Sequence, residues 1–318
     1  QALRDLHPGD ATPFDGGDAP PLPAGVDVFR LSMLSFARTV RRLPRFSAHG
    51  LDLSRFEHVR DLQRYDAGGF AAFFTLAQQL VAGGAGCSPA LQAVLGAARL
   101  VAFAKPAGGV RPIAVGSVWR RVVARAVAAQ RRSRWAEGLR PVQFGVGVRG
   151  GTEAMVHGVR SLLQEHPDWY VVATDCRNAY NSVSRGGVLR AMQDFDPALL
   201  PFVRFFYDEP ALLRYAAAAG VARLLSRSGV QQGDPLASAL FSVAIQPALL
   251  EVQATAVGDA AGAVVVDVGA ALSHAIIVCR ELGLPCVVSV TDATKSIPDG
   301  AEIEVDGNTG AVTIISTP

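Results

Sequence analysis

The sequence predicts an α/β protein made of two unlike domains, and three observations support that prediction. Its 318 residues are half apolar, which is enough to bury two sizeable cores. Strand-like apolar runs at 263–266 and 286–290 flank a segment of helical periodicity at 273–282. Residues 1–250 hold 28 Lys and Arg against 19 Asp and Glu, whereas residues 251–318 hold 2 against 9. So sharp a reversal of charge indicates two units with different partners.

The start of the chain and its cysteines indicate its setting. Residues 1–25 are rich in Pro, Gly and Asp and are expected to form a flexible lead-in. The first residue is Gln, no signal-peptide pattern is seen, and no apolar run reaches the 18 or so residues of a membrane span. We therefore expect a fragment or processed product that resides inside the cell. The cysteines form no C-x-x-C motif and are expected to be reduced, buried thiols: Cys87, Cys176, Cys279 and Cys286.

Helical patterns fill much of the first 250 residues. Apolar residues recur at the helical period from about Val26, and residues 46–62 pair a glycine-containing turn with an amphipathic helix. The segment VLRAMQDFDPALLPFVRFFYDEPALLRY, at 188–215, predicts two helices joined at Asp196-Pro197. These helices frame the stretches that hold candidate chemistry.

The stretch WYVVATDCRNAYNSV, at 169–183, holds the first candidate site. Its apolar run at 171–173 predicts a buried strand that ends near Asp175, with Tyr180 five residues later. A carboxylate fixed at a strand end can hold Mg²⁺ against a nucleoside triphosphate, and a bulky ring can screen the sugar. A strand ending in Asp is common by itself. A second stretch, QQGDPLASALFSVAI at 231–245, supports a functional role for Asp175.

Together these two stretches resemble the palm of reverse transcriptases, most closely those of non-LTR retrotransposons. The family's D-x-x-x-A-Y block and its Q-G-D-P block match at Asp175, Ala179, Tyr180, Gln232, Gly233, Asp234 and Pro235. The resemblance implies that Asp175 binds a catalytic Mg²⁺ and that the second block lies against template and incoming nucleotide. It also implies a partial right-hand polymerase fold, fingers plus an incomplete palm, over residues 26–250.

Residues 101–140 form a basic stretch, with nine Lys and Arg and a single acid, Glu137. Such a stretch attracts phosphate because each neutralised phosphate releases a counterion; the alternative is a solvated helix face. By the same resemblance, the turn with Lys105 and Arg111 is the fingers element that grips template backbone and triphosphate. The planar guanidinium of Arg suits that task. We therefore expect RNA or DNA as a partner of this stretch.

The family's third block, an aromatic residue followed by an Asp-Asp pair, has no match. No Asp-Asp pair occurs in the 318 residues, and Tyr207-Asp208-Glu209 precedes the Q-G-D-P block and is rejected as a substitute. Phosphoryl transfer by two metal ions needs more than one carboxylate. The Mg²⁺ site expected at Asp175 is therefore incomplete, and we expect that the chain does not polymerise DNA by itself.

His274 is the candidate residue of the acidic segment 251–318. Ser273 is a good N-cap, which would place His274 in the first turn of a helix. Backbone N–H groups and the helix dipole favour an anion there, and a phosphorylated imidazole is such an anion. From spacing alone, a histidine without a chemical role is the favoured interpretation.

The longer sequence GAALSHAIIVCRELGLPCVV, at 269–288, favours a chemical role for His274 instead. It resembles the mobile, swivelling phosphohistidine domain of PEP-utilising enzymes, which include PEP synthase, pyruvate phosphate dikinase and rifampicin phosphotransferase. The resemblance implies that His274 carries a phosphoryl group between an ATP-grasp site and an acceptor site, with Mg²⁺ as cofactor. It implies a small β/β/α domain at 251–318 that lacks its first strand. Apolar residues on both sides of the turn sequence DGNTG, at 306–310, also predict a β-hairpin. ATP-grasp and PEP-binding domains would have to act in trans.

Three hypotheses stay open at this point. The first is a nucleic-acid-binding, polymerase-inactive reverse transcriptase domain fused to a phosphohistidine carrier. The second is a phosphotransferase component whose chemistry lies on His274. The third is that the join near residue 251 unites two unrelated proteins through an error in the gene assignment.

Overall fold

Two compact units make up the protein. The computed structural model describes residues 2–7, 25–106, 108–167, 176, 178–217, 220–256, 264–266, 286–288, 293–298, 300–306 and 309–317. Unit 1 comprises residues 1–148 and 178–248, and unit 2 comprises residues 149–177 and 249–318. Within the described ranges, no helix combines the length and apolarity needed to cross a membrane.

Within the described ranges the chain begins with five helices, and pairs of strands separated by helices follow. The described helices are α1 Ala2–Asp5, α2 Met33–Arg41, α3 Phe56–Tyr65, α4 Ala67–Val81, α5 Pro89–Gly96, α6 Val118–Gly138, α7 Gly151–Glu165, α8 Ala179–Ser182, α9 Arg185–Phe195, α10 Leu200–Tyr207, α11 Ala237–Ala256 and α12 Ala293–Ser296. The described strands are β1 Ala98–Ala104, β2 Val110–Gly116, β3 Ala211–Ala217, β4 Gly220–Ser226, β5 Val264–Val266, β6 Cys286–Val288, β7 Glu302–Asp306 and β8 Ala311–Ser316.

Unit 1 is built on a four-stranded mixed sheet with the order β2-β1-β3-β4. β1 pairs antiparallel with β2 and parallel with β3, and β3 pairs antiparallel with β4. A small apolar cluster of Ala98, Leu100, Ala114 and Leu213 lies on the sheet. β2 is an edge strand, so the side away from β1 is open for pairing with another segment.

A larger core packs the helices of unit 1 together. The rings of Phe70, Phe73 and Phe74 surround Phe36 of α2, with centroids 5.3–5.7 Å from it. Aromatic rings at these distances contribute beyond the area that they bury. This core joins residues of α2, α4 and α6 with residues of α9, α10 and α11.

Unit 2 contains two small sheets, β5 parallel to β6 and β7 antiparallel to β8. These strands confirm the strands predicted near 263–266 and 286–290 and the hairpin around Asp306. The predicted helix at 273–282 and the predicted strand at 171–173 lie outside the described residues. The α/β class is confirmed by the mixed sheet and the hairpin.

Two predicted elements differ from the structure. α2 begins at Met33 rather than near Val26, because the Ser32 hydroxyl accepts the Ser35 N–H and caps the helix there. The preceding residues are extended, and Leu31 exchanges hydrogen bonds with Gln78. The end of the segment predicted as helix at 188–215 is strand β3, because pairing with β4 prevails over the helical propensity of Ala and Leu.

The cysteine prediction is wrong at Cys176. Both cysteines whose environment is described have free thiols, but Cys87 is half-buried and Cys176 is exposed. Cys176 stands between Asp175 and Arg177 in the sequence, and charged neighbours keep a segment near water.

The boundary predicted near residue 251 stays a prediction. α11 runs through it as one helix, and unit 2 also takes in residues 149–177, which the sequence division groups with 26–250.

Candidate functional site

The hairpin of β1 and β2 exposes two cations. At its turn the Lys105 N–H donates to the Gly109 carbonyl (3.1 Å) and the Gly108 N–H donates to the Lys105 carbonyl (3.0 Å). Arg111 pairs across the strands with Phe103, whose side chain is 56% exposed. Lys105 and Arg111 are both exposed, and no ion pair within the described residues involves either. The hairpin therefore presents free positive charge beside an exposed ring.

The Q-G-D-P turn joins the open edge of β2. The Ala114 N–H donates to the Gln232 carbonyl at 2.7 Å. Gly233 has φ +116°, and a Cβ there would lie 2.5 Å from the Ala114 carbonyl oxygen. Only glycine fits such a backbone so close to a strand. The structure thus brings Gln232, half-buried, and Gly233, exposed, against the strand that carries Arg111.

Asp234, the acid of that turn, is buried in an ion pair with Arg120 of α6. Its carboxylate also accepts the Tyr207 hydroxyl (2.9 Å) and the Leu236 N–H (2.9 Å). Burial first, and then the charge of Asp234, raise the pKa of Tyr207 far above its ordinary value, so the phenol stays protonated as a donor. The predicted nucleotide contact of Asp234 stays a prediction. Its described partners belong to the protein.

Arg120 is enclosed on all sides. It donates to the Gln231 side chain (3.2 Å) and the Gly96 carbonyl (3.4 Å), and its guanidinium lies 4.3 Å from the centroid of the Phe206 ring. Burial by itself would lower the pKa of Arg120, but the charges and hydrogen bonds of Asp234 and Tyr207 raise it above its ordinary value. Arg120 is therefore a fixed cation that holds the Q-G-D-P turn.

Sequence reasoning assigned Arg120 to the phosphate-binding stretch and missed this role. The sequence does hold a signal for it. Apolar residues stand three, four and seven residues beyond Arg120, at Val123, Ala124 and Val127, and all three are buried. That spacing places Arg120 on the apolar stripe of α6.

The other members of the basic stretch 101–140 divide into two groups. Arg131 lies 3.1 Å from Asp196, a buried acid that also accepts the Trp135 indole N–H at 2.9 Å. Arg132 donates to the Gly147 carbonyl. The members left exposed with neither an ion pair nor a side-chain hydrogen bond in the described ranges are Lys105, Arg111, Arg125 and Arg140. Only part of the stretch is therefore open to phosphate.

Tyr180 lies beside the helix that follows the Q-G-D-P turn. Its hydroxyl is 3.0 Å from the Ser238 hydroxyl, and its ring centroid is 5.4 Å from that of Phe241. Its carbonyl accepts the Val230 N–H at 2.7 Å. The structure thus brings Tyr180 together with the segment just before Gln232.

Arg185 holds that segment from behind. It is buried and donates to the Gly229 carbonyl (3.0 Å), to the Ser226 carbonyl (2.8 Å) and hydroxyl (3.0 Å), and to the carbonyls of Tyr207 and Glu209. The pKa of Arg185 is lowered to about 10, chiefly by burial, so the side chain is still charged at pH 7. Sequence reasoning did not single out Arg185.

The predicted Mg²⁺ ligand Asp175 and the predicted phosphoryl carrier His274 lie outside the described residues. Among the residues that are described, no three His, Cys, Asp or Glu come together as a metal site. Asp234 does not fit the role of a metal ligand, because Arg120 and Tyr207 already occupy its carboxylate.

Comparison with known families finds two matches. The family described as reverse transcriptase (RNA-dependent DNA polymerase) matches residues 103–267. The family described as PEP-utilising enzyme, mobile domain, matches residues 247–310. The two matches overlap at 247–267, which includes the end of α11 and the predicted boundary.

Curated relatives resemble only a short part of the chain. A phosphoenolpyruvate synthase from Pyrococcus furiosus is 40% identical over 83 residues, which cover 26% of this chain and 9% of that protein. A second, from Aeropyrum pernix, is 52% identical over 52 residues, or 16% of this chain and 6% of that protein. The uncharacterised phosphotransferase YvkC from Bacillus subtilis is 45% identical over 56 residues, or 18% and 7%. The chain spans less than a tenth of the length of each.

The reverse transcriptase match extends from the turn of the β1–β2 hairpin through the Q-G-D-P turn and α11, and so includes Lys105, Arg111, Tyr180 and Gln232. It covers more than half of the 318 residues. The chain belongs to the reverse transcriptase family, and it carries near its end a segment similar to the mobile domain of PEP-utilising enzymes.

Proposed function

We propose that this chain binds RNA or DNA at the surface formed by the β1–β2 hairpin and the Q-G-D-P turn, and that it does not extend a primer by itself. The hydrogen bond from the Ala114 N–H to the Gln232 carbonyl is the observation on which the proposal rests. It joins the strand that bears Arg111 to the turn that bears Gly233. A single surface results from two stretches about 120 residues apart in sequence.

The charge of this surface supports a polyanionic partner. Lys105 and Arg111 are exposed and have no acidic partner in the described ranges, so a phosphate can approach either side chain without displacing a carboxylate. Phosphate contacts of this kind release counterions and supply most of the affinity in sequence-independent binding. The exposed ring of Phe103, opposite Arg111, adds a face on which a base can stack.

The chain has too few carboxylates for primer extension. The 318 residues contain no Asp-Asp pair, and the acid of the Q-G-D-P turn is paired with Arg120. A two-metal phosphoryl transfer requires several carboxylates at one place. Asp175 alone does not meet that requirement. The proposed activity is therefore binding without synthesis.

Fluorescence anisotropy with a labelled single-stranded RNA and DNA of about 20 nucleotides tests the binding. We expect affinity to fall as salt rises, and a Lys105→Ala/Arg111→Ala variant to bind more weakly with a salt slope shallower by about 1.4, or about 0.7 per contact. A matched Arg64→Ala/Arg190→Ala variant removes two exposed arginines from α3 and α9 and should retain the parent slope. Equal loss in the two variants would reduce the effect to net charge and overturn the assigned surface.

Primer extension is assayed separately. The purified chain is incubated with a primer–template, Mg²⁺ or Mn²⁺ and dNTPs, and the products are resolved by length. We expect no extension. Templated incorporation that disappears in an Asp175→Asn variant would overturn the second part of the proposal.

A second candidate function rests on the family match at residues 247–310. A phosphohistidine carrier would take a phosphoryl group on the imidazole of His274, with the bond to the donor breaking as the N–P bond forms, and would then pass the group to an acceptor. PEP synthases are among the relatives, which supports this chemistry over a purely structural segment. The phosphoryl donor would be ATP bound to an ATP-grasp domain.

This second function has its own assay. A PEP synthase lacking its mobile domain is mixed with the chain and radiolabelled ATP, and acid-labile, base-stable label is counted. We expect label on the parent chain and none on a His274→Ala variant, with His157→Ala as the matched histidine control. Equal labelling of the parent and His274→Ala would exclude the role.

A further inference from the structure

Phe46 is displayed at the surface in an unfavourable conformation. Its side chain is 91% exposed, and its φ of +58° lies in the left-handed region that residues with a Cβ seldom adopt. An exposed phenyl ring gains nothing from burial, and the left-handed backbone costs free energy. Phe46 therefore makes no contribution to the core that would account for a ring at this position.

A carboxylate fixes the backbone of Phe46. The Phe46 N–H donates to Glu57 of α3 at 2.8 Å, and the same carboxylate oxygen lies 3.2 Å from the Arg60 guanidinium. The hydrogen bond from Phe46 is the largest cause that lowers the pKa of Glu57, so the carboxylate is ionised at neutral pH. The strained residue is thus held in place on the start of α3.

Arginines of α6 lie beside this loop. Arg121 donates to the Ala48 carbonyl at 2.7 Å, and its guanidinium lies 4.4 Å from the centroid of the Phe56 ring. Arg125 lies over the same ring at 5.5 Å. Burial lowers the pKa of Arg121, and the nearby charge of Arg125 lowers it further, while the charge of Asp52 opposes the shift. Like charges kept together in this way favour an anionic partner.

The positive charge around the loop is not neutralised by ion pairs. Arg45, Arg55 and Arg125 are exposed, and none of them, nor Arg121, takes part in a salt bridge within the described ranges. The carboxylate of Asp52 accepts the Ser117 hydroxyl at 2.9 Å instead. An exposed aromatic ring amid unpaired guanidinium groups matches the needs of single strands, which offer phosphates and unstacked bases together.

We propose that Phe46, with Arg45, Arg55 and Arg125, forms a stacking platform for single-stranded nucleic acid. Phe46 stacks on a base, and the arginines bind the phosphates on either side of it. The platform rests on the proposed nucleic-acid binding and adds to it a second contact surface, formed by the loop before α3 and by α6. It selects single strands, because a base within a duplex has no free face.

Anisotropy with the purified 318-residue chain tests the platform. The probes are a mixed-sequence single-stranded DNA, the same DNA as a duplex, and a strand of equal length made of abasic sites. A Phe46→Ala variant should bind the mixed-sequence strand about five- to hundredfold more weakly, the range for loss of one base–aromatic stack. Its affinity for the abasic strand should be unchanged. Phe46→Trp keeps an aromatic ring and should bind the mixed-sequence strand like the parent.

Two further variants separate stacking from folding. Phe46→Gly removes the ring but suits the left-handed backbone, so it should melt at the same or a higher temperature than the parent and still bind weakly. Leu53 lies in the same loop with the same φ of +58° and is 67% exposed, but it has no ring, so Leu53→Ala should bind like the parent.

The outcomes distinguish the platform from the proposed function. If the parent binds the mixed-sequence strand and the Phe46 variants bind it equally well, the platform is wrong and binding at Lys105 and Arg111 stands. Equal weakening on the abasic strand would also overturn stacking. If the parent binds no probe at low salt, both proposals fall.

Discussion

Arg120 and Asp234 form a buried ion pair that joins helix α6 to the Q-G-D-P turn. Their side chains are 3% and 4% exposed, and both are further satisfied by Tyr207, Gln231 and backbone groups. The acid of the turn thus acts inside the protein, where it sets the position of Gln232 and Gly233. Asp234 therefore positions the turn, and its predicted contact with nucleotide stays a prediction.

Loss of one partner of this pair should be costly. In Arg120→Met the carboxylate of Asp234 keeps its burial but loses its cation, and we expect the free energy of unfolding to fall by about 3–5 kcal/mol. Urea denaturation followed by circular dichroism measures the change. Arg125→Met, an exposed position on the same helix, should cost no more than about 0.5 kcal/mol. Equal midpoints for Arg120→Met and the parent would contradict the buried pair.

Gly233 should tolerate no side chain. Its φ of +116° and the 2.5 Å approach of a Cβ to the Ala114 carbonyl mean that Gly233→Ala must move the turn away from β2. We expect the Ala114 N–H, which donates to Gln232, to lose protection in hydrogen exchange, and the affinity for single-stranded RNA to fall. Gly145→Ala is the control, because a Cβ there meets nothing within 4 Å. Unchanged protection of Ala114 would refute the described pairing.

Local sequence patterns predict part of this architecture. The amphipathic period predicts α3, and alternating residues around the turn near Asp306 predict β7 and β8, because each pattern is decided within one or two elements. Strand β3 was predicted as helix. Its state depends on β1 and β4, and residue propensity does not report pairing with a segment more than 100 residues away.

The site was predicted by motif and is completed by residues without one. The two blocks indicate Tyr180 and Gln232, and the structure brings both to the segment around Val230. Arg120 and Arg185 hold that segment. Arginine is usually exposed, so the residue type alone does not predict that these two are buried. The apolar stripe of α6 is a sequence signal that predicts the burial of Arg120. The same spacing marks Arg185, because Val188, Leu189 and Met192, at three, four and seven residues beyond it, form the apolar stripe of α9.

Arg185 should not be replaceable by lysine. Its guanidinium donates to four carbonyl groups and the Ser226 hydroxyl, whereas an ammonium has three donors and cannot span that set. We expect Arg185→Lys to lower the free energy of unfolding by about 2–4 kcal/mol, since each buried acceptor left unpaired costs about 1–3 kcal/mol. Arg190→Lys, exposed on the same helix, is the matched control for urea denaturation. Equal stability of the two variants would contradict the structural role assigned to the hydrogen bonds of Arg185.

Acid should weaken the hold of Glu57 on Phe46. The folded-state pKa of Glu57 is lowered from 4.5, chiefly by the Phe46 N–H, so the unfolded chain binds the proton more readily than the folded one. The stabilisation is therefore fully present above pH 4.5 and is lost as the pH falls through the lowered folded-state value. Glu57→Gln should remove this dependence, and Glu153→Gln, on α7, should leave it intact. Titration of the Phe46 amide resonance by NMR follows the change directly, and a Phe46 shift that persists in Glu57→Gln would assign the effect to another group.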